Sequence, residues 1–111
     1  MIPLTQLEDM FTDMQSNPAL NTGGALLWGY FFTDHDEEKL NQAAYELEDL
    51  GYRFVEIYPC EGEDYSWLHV EQVELHTPRS LHEKNEFLES FASKHGLRSY
   101  DGMDVGPITA T

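Results

Sequence analysis

Positive charge is scarce in this chain of 111 residues, which has six lysine and arginine residues against twenty-one aspartate and glutamate residues and a formal net charge of −15. Because nucleic-acid-binding proteins depend on cations that neutralise phosphates, this composition argues against direct binding to DNA or RNA. An acidic surface instead attracts basic proteins, including the basic segments with which other proteins hold RNA. The alternative is that the negative charge only keeps a small protein soluble.

Cysteine and long apolar runs are also scarce. The single cysteine, Cys60, cannot form an internal disulfide, which is typical of proteins from a reducing compartment. No segment approaches the roughly 20 apolar residues of a membrane-spanning helix, and the first residues lack the basic and apolar regions of a signal peptide. These absences predict a cytoplasmic protein. A chain of this length with 41% hydrophobic residues is expected to form one domain with an ordinary core.

The stretch of residues 25–33 is uncharged and contains four aromatic side chains. Apolar residues occupy both of its alternating registers, which indicates a central strand with both faces covered. A helix over residues 4–16 and a connector over residues 17–24 are predicted to precede it. Thr5 and Glu8 have the spacing of a capping box at the start of that helix.

Two further helices are predicted from capping residues and helical periodicity. Asp34 is a candidate N-cap with Glu37 as its capping-box partner, and this helix ends at Gly51. The last helix starts with Thr77 or Ser80 as its cap and ends before Gly96. Its predicted buried side consists of Leu81, Phe87, Leu88, Phe91 and Ala92.

Three further strands are predicted over residues 52–58, 66–75 and 97–105. The alternation of apolar residues in the strand 66–75 changes phase midway, which either a β-bulge at Glu71 and Gln72 or an edge strand with loose requirements would explain. The order after the first helix is therefore β-α-β-β-α-β. It predicts an α+β fold, a ferredoxin-like sandwich in which two helices cover one face of a four-stranded antiparallel sheet.

The predicted domain boundaries follow from these elements. Residues 1–24 form an N-terminal helix and linker, residues 25–106 form the ferredoxin-like domain, and residues 107–111 form a C-terminal tail. The N-terminal helix or a protein partner is expected to cover the aromatic residues on the other face of the sheet.

No constellation of residues predicts catalysis, a metal or a cofactor. The acidic run at residues 34–38 lies where a helix starts, so its side chains diverge and are better explained as complements of the positive helix end. Cys60 lies among acidic residues that disfavour a nucleophilic thiolate. The sequence has no nucleotide-binding loop and no nucleophile elbow. A small enzyme or ligand-binding domain stays open as an alternative, with a pocket near His69, Tyr30 and Glu71.

Aromatic residues on the first and third strands of such a sheet can stack RNA bases. Trp28, Tyr30, Phe32 and Trp67 have the positions for that role. The segment between Phe54 and Pro78, however, has six acidic residues and neither lysine nor arginine, so it would repel a nucleic acid. We therefore expect these aromatic residues to lie in the core or to face a protein.

An ordered set of short motifs resembles the regulator of ribonuclease activity B family, the ribonuclease E inhibitors. The motifs are the segments 33–40 and 50–55, Trp67-Leu68, and a closing Tyr100-Asp101-Gly102, so the resemblance covers about residues 25–106. Family members commonly continue the last motif with tryptophan, where this chain has Met103. The resemblance implies a ferredoxin-like fold, no cofactor and no catalytic activity. It also implies that the protein binds a regulatory region of ribonuclease E and modulates RNA decay.

The segment from Asp34 to Asp49 carries seven carboxylates and one lysine, which makes it the electrostatic candidate for binding a basic partner. The predicted partner-binding residues are Asp34, Asp36, Glu37, Glu38, Glu46 and Asp49. For Tyr100, Asp101 and Gly102 a structural role is an alternative, with Gly102 allowing a bulge or turn. The partner is ribonuclease E or, alternatively, another basic protein.

Overall fold

The computed structural model describes residues 2–18, 20 and 23–108. Parts of the predicted connector and of the predicted C-terminal tail lie outside these residues. The described chain is a mixed α/β structure with three helices and one four-stranded antiparallel sheet. In chain order the elements are α1 (Leu4–Gln15), β1 (Leu26–Asp34), α2 (Glu37–Asp49), β2 (Arg53–Pro59), β3 (Ser66–Glu74), α3 (Pro78–Lys94) and β4 (Ser99–Gly106).

The strand β1 lies in the interior of the sheet, whose order is β2-β3-β1-β4. It pairs with β3 on one side and with β4 on the other, and all neighbouring strands are antiparallel. An interior strand has no exposed edge and needs apolar side chains. The uncharged stretch of residues 25–33 meets this requirement. The prediction of an interior strand for this stretch is confirmed.

The two faces of the sheet differ in how they are covered. Trp28, Tyr30 and Phe32 point towards the helices and are completely buried. The ring of Tyr30 meets Tyr52 edge-on at 5.8 Å, and Phe32 lies 5.9 Å from Phe91 of α3. The alternate residues of β1 lie on the opposite face, which we call the open face.

The helix α1 lies on the same side of the sheet as α2 and α3. It packs against α3, and the ring of Phe11 stacks on Trp28 at a centroid distance of 6.0 Å. Its apolar stripe of Leu7, Phe11 and Met14 is buried in the same core as the aromatic residues of β1. Of the two predicted covers for the other face, α1 or a protein partner, the first was therefore wrong, because the apolar stripe of α1 finds its partners beside Trp28.

The starts of α1 and α2 also differ from the prediction. α1 begins at Leu4 after Pro3, which makes no side-chain capping bond, so Thr5 lies inside the helix and no capping box forms. In α2 the N-cap is Asp36, whose carboxylate accepts a hydrogen bond from the backbone N–H of Glu38 at 2.9 Å. Asp34 does not cap α2 because it still belongs to β1.

The other predicted helix ends are confirmed. Thr77 and Ser80 form a capping box at the start of α3, with Pro78 at the first helical position. Gly51 follows α2 with φ of 103°, a conformation that glycine adopts without steric cost.

The predicted bulge at Glu71 and Gln72 was wrong, because the pairing of β3 with β1 is regular from end to end. The alternation of apolar residues in β3 changes phase because the carboxylate Glu74 points towards the helices. Val73 points to the other face, with 51% of its surface exposed. Irregular pairing occurs instead in β2, between Phe54 and Glu56. A second irregularity lies in β4 at Asp101.

We predict a large difference between truncations of two leucines that lie near each other in sequence. Leu68 is fully buried, so Leu68→Ala should lower the free energy of unfolding by about 3 kcal/mol through lost contacts and a residual cavity. Leu75 is 62% exposed, so Leu75→Ala should change it by less than about 0.5 kcal/mol. Urea denaturation followed by circular dichroism measures both, and equal effects would contradict the described packing.

Candidate functional site

The six carboxylates predicted to bind a partner fall into different environments. Glu38 and Asp49 are exposed at opposite ends of α2. Glu37 accepts a hydrogen bond from the hydroxyl of Ser66 at 2.7 Å, and Glu46 lies 2.5 Å from the imidazole Nε2 of His95. Asp36 caps α2. All five are exposed, even where they hold an intramolecular partner.

Asp34 is the exception, because its side chain is buried with only 5% of the residue exposed. One carboxylate oxygen accepts a hydrogen bond from the N–H of Asp36 at 2.9 Å, and the other accepts one from the N–H of Arg98 at 2.9 Å. Asp34 thus joins the end of β1 to the start of α2 and to the segment before β4. This position is structural, since a partner cannot reach a carboxylate that the backbone already encloses.

A cleft of about 470 Å³ lies between α2 and α3, beside the exposed carboxylates of α2. Its apolar lining comes from Leu50, Phe87 and Phe91, and its polar lining comes from Glu46, Asp49, Ser90, Lys94 and His95. Leu50 and Phe87 are 53% and 48% exposed. The prediction from helical periodicity that Phe87 is buried was therefore wrong. The structure instead presents apolar surface next to negative charge.

The four aromatic residues considered as a stacking platform do not lie together. Trp28, Tyr30 and Phe32 are in the core, as one of the two expectations had it, while Trp67 lies on the open face. Its neighbour there is Phe31, which sequence reasoning did not single out. The alternation of a strand could have identified Phe31, because it places this side chain on the face opposite the buried aromatic residues of β1.

The pocket considered for a small enzyme or ligand-binding domain does not form as predicted. Tyr30 points towards the helices, whereas His69 and Glu71 pair with residues of the neighbouring strands on the open face. Glu71 is 7% exposed and forms an ion pair with Arg53. The three side chains therefore lie on opposite sides of one sheet and do not line a common cavity.

A partly buried polar cluster lies between the end of β3 and α3. The hydroxyl of Tyr30 donates to Glu74 at 2.5 Å, and the other carboxylate oxygen of Glu74 lies 2.8 Å from the ammonium of Lys84. His76 lies between Glu74 and the hydroxyl of Ser80, 2.9 Å from each. Lys84 also donates to the hydroxyl of Tyr52.

This cluster contains the three residue types of a catalytic triad, in Ser80, His76 and Glu74, but it resembles a triad in no other respect. The hydroxyl of Ser80 accepts a hydrogen bond from the N–H of Thr77 at 2.8 Å as part of the capping box of α3. A hydroxyl in that role closes the helix end and is not presented to a substrate. The cluster holds α3 against the sheet.

Burial and hydrogen-bond partners shift the pKa values of the groups in this cluster. Burial by itself would raise the pKa of the Glu74 carboxyl, but hydrogen bonds from His76, Lys84 and Tyr30, together with the charge of Lys84, lower that pKa to about 2. Burial, followed by the hydrogen bond to Glu74, raises the pKa of the Tyr30 hydroxyl far above its ordinary value. Glu74 is therefore a stable anion beneath the helical layer.

The motif residues Tyr100, Asp101 and Gly102 lie in β4. The hydroxyl of Tyr100 donates to the side-chain oxygen of Asn85, which joins β4 to α3. Gly102 has φ of 112° beside the irregular pairing at Asp101, so the expectation that it permits a bulge is confirmed. Asp101 itself is exposed at the open face.

Among residues 2–18, 20 and 23–108, no group of three or more histidine, cysteine, aspartate or glutamate side chains is arranged to hold a metal ion. In the acidic run at residues 34–38, Asp34 points inward, Asp36 caps α2 and Glu38 points to solvent. None of the helices in the described part of the chain is long and apolar enough to span a membrane.

Replacing Glu74 by glutamine should make the acid sensitivity of the fold shallower. Because the pKa of Glu74 is lower in the folded state than in an unfolded chain, its stabilisation is present above about pH 4.5 and is lost as the pH falls towards 2. This contribution amounts to at most about 3 kcal/mol. Urea denaturation from about pH 7 to about pH 3 should therefore show a smaller loss of stability for Glu74→Gln than for the wild type.

The matched control is Glu83→Gln, which removes an exposed carboxyl from the same helical region. We expect its pH dependence to follow that of the wild type. Parallel curves for Glu74→Gln and the wild type would contradict the described cluster.

Comparison with known proteins adds one finding to this geometry. A family model described as regulator of ribonuclease activity B matches residues 5–105, which include two complete helices, three complete strands and all of β4 except Gly106. No curated protein matches the chain. Because the match covers nearly the whole sequence, the chain belongs to the regulator of ribonuclease activity B family.

Proposed function

We propose that this protein is a cytoplasmic, non-enzymatic regulator that binds a ribonuclease E-like enzyme through an acidic surface and thereby modulates RNA decay. The observation that carries the proposal is the family match over residues 5–105, because membership implies regulation of a ribonuclease. The net charge of −15 adds that the contact is made with a basic segment of the partner protein and not with RNA.

The surface that best supports this function is formed by α2 and its cleft with α3, which we call the α2 surface. Glu38, Glu48 and Asp49 are exposed there. Charge of one sign along a helix raises the rate at which an oppositely charged partner arrives. The negative charge therefore steers the partner to this side.

The cleft supplies apolar contact surface, which charge alone does not provide. Leu50 and Phe87 are large apolar side chains that remain about half exposed at its mouth. Burying such side chains against a partner adds affinity that salt does not screen. We therefore expect the bound segment to carry apolar residues next to its lysine or arginine residues. Contact of this kind requires no cofactor.

We also assign β1–β4 with α2 and α3 to the ferredoxin-like class, with residues 25–106 as the domain. The assignment is supported by the order β-α-β-β-α-β and by the two central strands β1 and β3. In this assignment α1 is an additional helix at the side of α3, and residues 107–111 form a tail.

Reversing two exposed charges of the α2 surface tests the proposal. The double variant Glu38→Lys/Asp49→Lys should bind the regulatory region of a ribonuclease E-like enzyme about tenfold more weakly than the wild type, because it replaces attraction by repulsion. The difference should shrink between about 50 mM and about 300 mM NaCl, as screening increases. Isothermal titration calorimetry measures both quantities.

The matched control is Glu8→Lys/Asp9→Lys, which makes the same change in net charge on the exposed side of α1. It should retain most of the wild-type affinity, since α1 flanks α3 away from the α2 surface. Equal losses in the two double variants would reject the α2 surface. Failure of the wild type to bind the ribonuclease region would reject the proposed function.

A further inference from the structure

The open face of the sheet carries a row of aromatic side chains that no helix of the described chain covers. His69 stacks on Phe31 at a centroid distance of 4.4 Å and an interplanar angle of 17°. Trp67 meets Phe31 edge-on at 6.2 Å, and Tyr58 pairs with Trp67 across the strands. We call Phe31, Tyr58, Trp67 and His69 the aromatic patch. All four side chains are partly exposed.

Within the described part of the chain, most carboxylates around the aromatic patch have no cation beside them. Phe31, Tyr58 and Trp67 share a cleft of about 240 Å³ with Asp101, and Asp104 lies beside His69 in an adjoining cleft. Glu56 is exposed opposite His69 in the register of β2 and β3. Glu71 is the one carboxylate near the patch that the described structure pairs with an arginine, Arg53. The patch therefore has an excess of negative charge.

Two local observations show how close this charge lies to the rings. A side chain at Gly29 would collide with the carboxylate of Asp104 and with Nε2 of His69, so both groups lie directly over the backbone of β1. Partial burial raises the pKa of the Tyr58 hydroxyl, and the negative charges of Glu56 and Asp104 raise it further.

The chain already contains one arginine that stacks on this row of rings. The guanidinium of Arg98 lies 3.9 Å from the ring centre of Tyr65, and the ring of Tyr65 lies 6.3 Å from that of Trp67. Arg98 also donates a hydrogen bond to the hydroxyl of Thr33. The end of the row is thus occupied by an internal arginine, while the next rings, Trp67 and Phe31, have no such cation above them among the described residues.

Charge decides which class of partner fits the patch. A nucleic acid would stack on the rings but would be repelled by Asp101, Asp104 and Glu56. A second copy of this chain would bring a further charge of −15. A guanidinium satisfies both features, because it stacks on aromatic faces and pairs with carboxylates through parallel hydrogen bonds. The ammonium of lysine is a compact, strongly hydrated charge and stacks less well.

We propose that the open face of the sheet is a second contact surface, which binds arginine side chains from a basic segment of a protein partner. Trp67 and Phe31 provide the stacking surface, and Asp101 and Asp104 provide the carboxylates. This proposal deepens the proposed function, on which it rests for the identity of the protein that carries the segment. The surface lies on the side of the sheet opposite to the α2 surface.

The test compares deca-arginine with deca-lysine as probes, in the variant Glu38→Lys/Asp49→Lys so that the α2 surface contributes little. Isothermal titration calorimetry at about 150 mM NaCl should give an affinity for deca-arginine about fivefold or more above that for deca-lysine. Adding Trp67→Leu should remove this preference. Adding Phe54→Leu, which changes an exposed aromatic residue on the helical side in the same way, should leave it intact.

Amide chemical shifts of the wild type provide a readout that does not depend on the folding of a variant. Deca-arginine should shift the amides of Gly29, Phe31, His69 and Gly102 in spectra of the ¹⁵N-labelled protein. The double variant Asp101→Asn/Asp104→Asn should weaken deca-arginine binding without changing the far-ultraviolet circular dichroism.

Equal affinities for the two peptides, or amide shifts confined to α2 and α3, would overturn the proposal. So would a preference for arginine that survives Trp67→Leu in a folded protein. These results leave the proposed function standing, because that function is tested by ribonuclease binding at the α2 surface. Loss of ribonuclease binding by the wild type, with the arginine preference intact, would reject the proposed function alone.

Discussion

The burial of three large rings, Trp28, Tyr30 and Phe32, under the helices is the packing interaction on which the rest of the structure depends. These side chains project from one face of an interior strand, so α1, α2 and α3 all have apolar partners on the same side. Large aromatic side chains dominate the energetics of a core of this size. Once this side is filled, the described chain has no helix left for the other side.

Carboxylates take part in this architecture in two different ways. Asp34 and Glu74 lie near opposite ends of the central strand, where each is enclosed and receives hydrogen bonds from backbone or side-chain donors. These hydrogen-bonded acids fix the positions of the loops and of α3. The carboxylates of α2 and of the open face remain at the surface and give the molecule its electrostatic character. The acidic residues thus include both carboxylates that fix the fold and carboxylates that set the charge of the surface.

The sequence was sufficient to predict the order of the elements and the interior position of β1, because period-2 and period-3.6 patterns and glycine stops are local signals. It was insufficient for Glu74, since an inward carboxylate can be recognised only when its distant partners Tyr30 and Lys84 are known. The same holds for Asp34, whose partner Arg98 is far along the chain. The placement of α1 was also a tertiary property, decided by which apolar surface beside Trp28 remained free.

The two tryptophans of this chain lie on opposite faces of the same sheet, and only one of them is in contact with solvent. Trp28 is 1% exposed beneath the helices, whereas Trp67 is partly exposed among the aromatic residues of the other face. Their intrinsic fluorescence is therefore separable by a soluble quencher such as acrylamide, which reaches Trp67 and not Trp28. Each face of the sheet therefore has its own intrinsic fluorophore, with no dye attached.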